Sequence, residues 1–267
     1  MKQTIHNFVI KRTARMRMCV LLLLSTLAIC MLAGVGGTSD AGTSPAEAQG
    51  DWSKALSGLI VALDPGHGGY DGGARAKDSG IWEKDLTLQI TLAVEKVLIS
   101  RGATVVVTRR EDVCLAEGDT TTKARKRKDL QRRVDIALEA NADVFLSIHL
   151  NEYRSRSESG PHVFYQQGGD DGRLLAGVLQ EAMISELRPI KERVAMAGNY
   201  YVLRSKIPSA LVECGFLSNA AEEKLLLTPA YHEKIGISIA NGLTEYRKLI
   251  AGIGGELGEA GELSQTP

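Results

Sequence analysis

The sequence has no surplus of charge of either sign. Its 32 lysines and arginines are matched by 32 aspartates and glutamates, so no global field favours a polyanion and nucleic acid is not expected as a partner. Cysteine is scarce. Of four, Cys19 and Cys30 fall in an apolar run near the N-terminus, which leaves only Cys114 and Cys214 elsewhere. A disulfide framework is thereby excluded, and the pair reads as two free thiols. Internal repeats and a second module are absent, so 267 residues suit one sizeable domain with tails. Histidine is also rare, and of the five, His6, His162 and His232 stand in no motif. His67 and His149 remain to be explained.

The N-terminus is the first positive signal. Lys2, Lys11, Arg12, Arg15 and Arg17 precede any acidic residue, and Met18 to Val35 then runs without a charge. A basic stretch followed by an apolar core is an export signal. The core is long for a cleaved signal and close to the length that spans a bilayer, so residues 1–35 read as a signal peptide or a signal anchor. The basic residues hold the N-terminus in the cytoplasm, and the working part of the chain is expected outside it. Leu27 to Cys30 is a poor lipoprotein box, and the small-residue Ala46–Ala48 lies far downstream of the apolar core. Residues 36–57, rich in Gly, Ser, Thr, Ala and Asp, read as a linker. From Ile250 the chain is rich in glycine and glutamate, and residues 250–267 read as a disordered tail. The working domain is then 58–249.

Within it, short apolar runs alternate with amphipathic stretches. Leu59–Leu63, Thr104–Thr108, Val144–His149, Val163–Gln167, Tyr200–Leu203 and Ala210–Glu213 read as strands. Glu83–Ser100 carries Leu86, Ile90, Val94 and Val97 at helical spacing; Leu130–Ala140, Arg173–Leu187 and Tyr231–Lys248 share the period. The alternation predicts an α/β single domain with a mostly parallel central sheet of about six strands. In such sheets ligands gather beyond the carboxyl ends of the strands.

Three strands end in chemically capable side chains. "LDPGHGG" delivers His67 among glycines, "SIHLN" delivers His149 and "LVECGF" delivers Glu213. Glu83, at the start of the helix after the glycine loop, reaches the same edge. Two histidines and a carboxylate are the ligand set of a catalytic zinc site with one position left open. A further carboxylate, here Glu213, suits proton transfer from water to a leaving amine. Plainer explanations exist for each. A strand-end histidine is often structural, and Glu83 complements a helix N-terminus. Glu213 is harder to explain away, because burying a lone carboxylate is costly. The glycines lack the Gly-Lys-Ser/Thr ending of a phosphate loop, and suggest instead a cleared space around His67 for metal and substrate.

"LDPGHGGYDGG", "EKDLTLQI", "SIHLN" and "LVECGFLSN" together resemble, in order, the motifs of the type 3 zinc-dependent N-acetylmuramoyl-L-alanine amidases. The resemblance covers about Val61 to Arg247. It implies a twisted, mostly parallel sheet with helices on both faces, Zn2+ as cofactor, His67, Glu83 and His149 as metal ligands, and Glu213 as the catalytic glutamate. It also implies a substrate, peptidoglycan glycan strands with stem peptides, cut at the amide between muramic acid and L-alanine. Leu150 departs from the pattern, where a small residue is usual. Cys214, after the catalytic glutamate, reads as a small buried hydrophobe. "WSKALSG" and the segment from Arg110 to Val134 are similar to the germination-specific amidases of spore formers. That likeness implies work on the spore cortex toward muramic-δ-lactam, beside a separate deacetylase. The rival readings are another zinc peptidoglycan hydrolase (a peptidase or deacetylase), a general vegetative autolysin, or a non-catalytic wall binder. A membrane association through residues 1–35, if uncleaved, and an unidentified accessory protein complete the expected partners. Two features stay outside the motifs. The basic cluster from Lys123 to Arg133 reads as a solvated helix face, or as a patch for anionic wall polymer or an acidic partner. Tyr200 and Tyr201 read as strand packing or as the lining of a sugar groove.

Overall fold

Residues along each strand alternate between two separate cores, and that alternation sets the architecture. A computed structural model describes residues 52–116 and 122–262. The signal or anchor at 1–35 and most of the 36–57 linker lie outside the described residues. The elements are β1 (Ile60–Pro65), α1 (Glu83–Ser100), β2 (Thr104–Val107), α2 (Thr122–Glu139), β3 (Val144–Asn151), β4 (His162–Gln166), α3 (Asp170–Leu187), β5 (Met196–Gly198), β6 (Ser209–Phe216), α4 (Ala220–Leu226) and α5 (Pro229–Glu262). The sheet order is β2-β1-β3-β6-β4-β5. Every neighbouring pair is parallel except β4 with β6. The α/β domain with a six-stranded, mostly parallel sheet is as the sequence predicts.

Val61, Leu63, Val144, Leu146, Ile148, Val163 and Val212 point into the larger core. There they meet Leu86, Ile90 and Val94 of α1, Leu175 and Leu179 of α3, and Ile235 and Ile239 of α5. One residue along the same strands, Ala62, Phe145, Phe164 and Leu211 point the other way, onto Val134 and Ala137 of α2 and onto Val202 and Leu203. Strands buried on both faces read as near-continuous apolar runs, which is why they were visible in the sequence. In α1 the apolar residues fall one turn apart, and Glu83 and Asp85 in its first turn complement the helix dipole.

Four sequence-based boundaries need correction. Tyr201–Leu203 forms a one-turn 3-10 helix rather than a strand, and the fifth strand is Met196–Gly198. α2 begins at Thr122 rather than Leu130, because its first two turns are too polar to show an apolar stripe. The linker ends earlier than residue 57: Trp52–Lys54 makes a turn of 3-10 helix and Leu56 is fully buried. The last helix runs past Ile250 to Glu262, so the predicted tail is helical that far. Among the described residues no helix is long and apolar enough to cross a membrane.

Candidate metal centre

The carboxyl ends of β1, β3 and β6 gather the predicted residues at one edge. β1 ends at Pro65, two residues before His67; β3 and β6 pair in register, with His149 beside Glu213. Glu83 opens α1 and is almost fully buried. Its two oxygens divide between the histidines: Oε2 lies 3.2 Å from His67 Nε2, and Oε1 lies 3.1 Å from His149 Nδ1. The backbone N–H groups of Ala74 and Leu150 donate to the same oxygens at 2.8 and 3.0 Å. The imidazoles stand edge to face, 4.8 Å between centroids. One ligand atom from each of His67, Glu83 and His149 lies within 4.8 Å of the others. Two imidazoles and an anionic carboxylate converging at this spacing fit a divalent metal of zinc type.

The other nitrogen of His67 is also engaged: Nδ1 lies 3.0 Å from Asp71 Oδ1. Such a carboxylate fixes tautomer and ring orientation. Burial disfavours charge on His67, but hydrogen bonds and charges from Asp71 and Glu83 outweigh it and raise the pKa from 6.5 to about 9. Burial opposes ionisation of Glu83 too, yet its hydrogen bonds to His149 and His67 hold it far below the usual carboxylate range. Glu213 goes the other way. Burial first, and the neighbouring charge of Glu83 second, push it to about 8, with His67 pulling down. Its Oε2 is covered and has no hydrogen-bond partner among the described residues. A carboxyl kept available beside a cluster of metal-ligand type can accept and return a proton.

His67 itself sits at φ 62°, a left-handed conformation rarely adopted by a residue with a side chain. Two buried arginines hold it there. Arg133 Nη2 donates to the His67 carbonyl at 2.6 Å and Nη1 to that of Pro65 at 2.7 Å. Arg109 Nε donates to the His67 carbonyl at 2.9 Å, and Nη2 to that of Gly66 at 2.8 Å. Asp64, buried on β1, accepts from Arg133 at 2.8 Å, from Thr108 at 2.6 Å and from Ser147 at 2.7 Å. Asp129 accepts from Arg133 Nε at 2.8 Å. This network went unseen in the sequence, although Asp64 inside an apolar run was a usable signal. It also corrects the reading of the basic cluster: Arg133 belongs to the interior, not to a solvated face.

The glycines correct a second expectation. A Cβ on Gly66 would run into the His149 ring, and one on Gly73, at φ 68°, would lie 2.5 Å from Glu83 Oε2. The space they leave is filled by the site's own side chains. Among the described residues Cys214 is a buried free thiol and Cys114 a partly exposed one. Tyr200 packs on Phe164, and the Tyr201 hydroxyl donates to Gln131 Oε1 at 2.7 Å. His162 and His232 lie against the carbonyls of Val194 and Leu226; His6 lies outside the described residues. After Glu213, Asn219 caps α4, accepting from Ala221 and Glu222 N–H. Glu223 then anchors the N–H groups of Asp78 and Ser79, in the loop leading to Glu83.

Comparison with known proteins places the chain in a family. The family model described as Amidase_3, N-acetylmuramoyl-L-alanine amidase, matches residues 61–245. The chain is 38% identical over 197 residues to the germination-specific N-acetylmuramoyl-L-alanine amidase of Bacillus subtilis, spanning 73% of this chain and 82% of that one. Among solved structures, the CwlD amidase of Clostridioides difficile, in complex with the GerS lipoprotein, superposes with a TM-score of 0.68 at 36% identity. That match covers 72% of this chain and 99% of CwlD. The catalytic domain of CwlV from Bacillus (Paenibacillus) polymyxa gives 0.62 at 31% identity, covering 71% and 98%. The chain belongs to the N-acetylmuramoyl-L-alanine amidase family, and it is an amidase of the bacterial cell wall.

Proposed function

We propose that this amidase uses zinc held by His67, Glu83 and His149, with Glu213 as the proton-transfer group, and that it matures the peptidoglycan of the spore cortex. The convergence of three ligand atoms around a buried, ionised Glu83 carries the metal reading. Zinc in such a set supplies Lewis acidity, making water nucleophilic near neutral pH and polarising a carbonyl. Asp71, on Nδ1 of His67, keeps Nε2 turned toward Glu83. Glu213 takes the proton of the attacking water on its carboxylate and delivers it to the departing nitrogen of L-alanine. A carboxyl at about 8 is matched to moving a proton in both directions near neutral pH.

The cortex reading is supported by the likeness to the germination-specific amidase and to CwlD. CwlD was solved with a lipoprotein, and the likeness supports an accessory lipoprotein for this chain too. Export rests on the basic-then-apolar order of residues 1–35. A truncation at Trp52 should stay in the cytoplasm while the full chain leaves it.

Mass spectrometry of cortex peptidoglycan treated with the purified protein tests the reaction. Free L-alanine amino termini with intact muramic acid are expected, lost on chelation and restored by zinc. Cleavage within the peptide, or indifference to chelation, would overturn the reading. Deletion in a spore-forming host should remove muramic-δ-lactam; chained vegetative cells with unchanged lactam would assign the enzyme to the vegetative wall.

A further inference from the structure

The mechanism leaves the basic start of α2 without a task. Between that start and the turn at Tyr201–Leu203 lies an open groove of about 660 Å³, lined by Lys123, Lys126, Arg127, Leu130, Tyr201 and Arg204. Among the described residues no carboxylate lines it. Lys123 and Arg127 have no ion-pair partner among the described residues. Arg204 lies 5.6 Å from the Tyr201 ring and donates to Asn199. One end of the groove reaches the metal centre: Lys126 Nζ lies 2.9 Å from Asp71 Oδ2, and Asp71 Oδ1 contacts His67.

Helix stability does not account for these charges. α1 and α3 open with acidic residues, Glu83 and Asp85, Asp170 and Asp171. α2 opens with none, so its cations face the positive end of the helix dipole. Lys123 and Arg127, one turn apart, repel each other. A cationic cluster that costs the helix stability, keeps Lys123 and Arg127 without an ion-pair partner among the described residues, and adjoins the site through Lys126 points to an anionic ligand.

We infer that this groove is the subsite for the carboxylates of the stem peptide, an inference that rests on peptidoglycan being the substrate. The N-acetylated sugars are neutral, so the anionic groups of such a strand sit on its peptide. With L-alanine at the metal centre, the rest of the stem runs along α2. Its carboxylates face Lys123, Arg127 and Arg204, and its methyl groups face Leu130 and Tyr201. The subsite thus selects peptide-bearing muramic acid and directs the peptide away from the glycan.

The test uses soluble glycan strands with free stem carboxylates and the same strands after carbodiimide amidation. Binding is measured with the full-length Glu213→Gln protein, and KM and kcat with the active enzyme. Amidation should weaken binding and raise KM about three- to tenfold, the scale of two exposed charge pairs, at similar kcat. Lys123→Gln/Arg127→Gln should show the raised values on both substrates, with melting held or slightly raised and no further loss on amidation. Near 1 M salt, where the screening length is about 3 Å, the difference should vanish. Equal responses of wild type and variant to amidation would overturn the subsite. So would unchanged KM with lost binding of an acidic partner protein, which would make the patch a protein interface. If strands are not cut but charge-dependent binding persists, the reaction fails and the subsite stands.

Discussion

On one face of the sheet Val61, Leu146 and Val212 meet the aliphatic side chains of three helices. One residue further along the same strands, Asp64, Ser147, His149 and Glu213 face the other way, where α2 supplies Arg133 to Asp64. The first face is non-directional: any well-filled apolar set of that volume would do. The second is directional, since each charge requires its partner at hydrogen-bond distance. The period-two alternation of the strands thus puts aliphatic packing alone on one face and sets the paired polar groups beside a smaller apolar core on the other.

The sharpest way to expose the difference is Glu213→Gln. Turnover should drop roughly a hundred- to ten-thousandfold, while zinc content and melting temperature hold, because the change opens no cavity. Loss of zinc together with activity would put Glu213 among the ligands.

A paired experiment follows. Ile90→Ala on the aliphatic face should cost about 2–5 kcal/mol in chemical denaturation. Arg133→Met should cost about 3–5 kcal/mol, since it strands Asp64 and Asp129 without their partner. Their similar stability costs should part at the metal: zinc affinity of the folded protein should weaken only in Arg133→Met, whose His67 loop loses two carbonyl bonds. Equal affinities would reduce the arginine network to scaffolding. Asp71→Asn should lower zinc affinity about ten- to a hundredfold by freeing the His67 ring, measured by competition with a chromophoric chelator.

A further difference lies in pH. His67 is held at about 9 in the metal-free protein against 6.5 unperturbed. That stabilisation is complete below 6.5 and lost as pH rises to about 9. Glu213, raised from 4.5 to about 8, has the same sign over its own lower window. Metal binding requires a neutral imidazole, so zinc affinity should rise across the His67 window, up to about tenfold per unit. Metal-free protein should thus melt lower, and bind zinc more tightly, between pH 6.5 and 9. Parallel trends would refute the assignment.

What was legible in the sequence follows the same division. The aliphatic face was readable from Leu59 to Glu213 because burial on both sides leaves long apolar runs, and the candidate ligands because strand ends in a parallel sheet converge. The polar face was not. Arg133 sits among exposed cations at a spacing that looks like a solvated stripe, and only its distance to Asp64 reveals it as interior. Tyr201–Leu203 has the apolar content of a strand without partners to pair with. The helical continuation to Glu262 was hidden by glycines, whose helix propensity is poor.

The position of β6 has a consequence for how the enzyme becomes active. This strand is among the last elements in the chain, yet it lies between β3 and β4. The sheet's long-range parallel pairings must form across large sequence separations, which slows folding. The cluster of His67, Glu83 and His149 is built from the chain through β3, with Arg133 of α2 holding the His67 loop, but Glu213 arrives with the inserted strand. With the roles proposed above, His67, Glu83 and His149 would be in the chain before Glu213, so activity would await the insertion of β6 between β3 and β4.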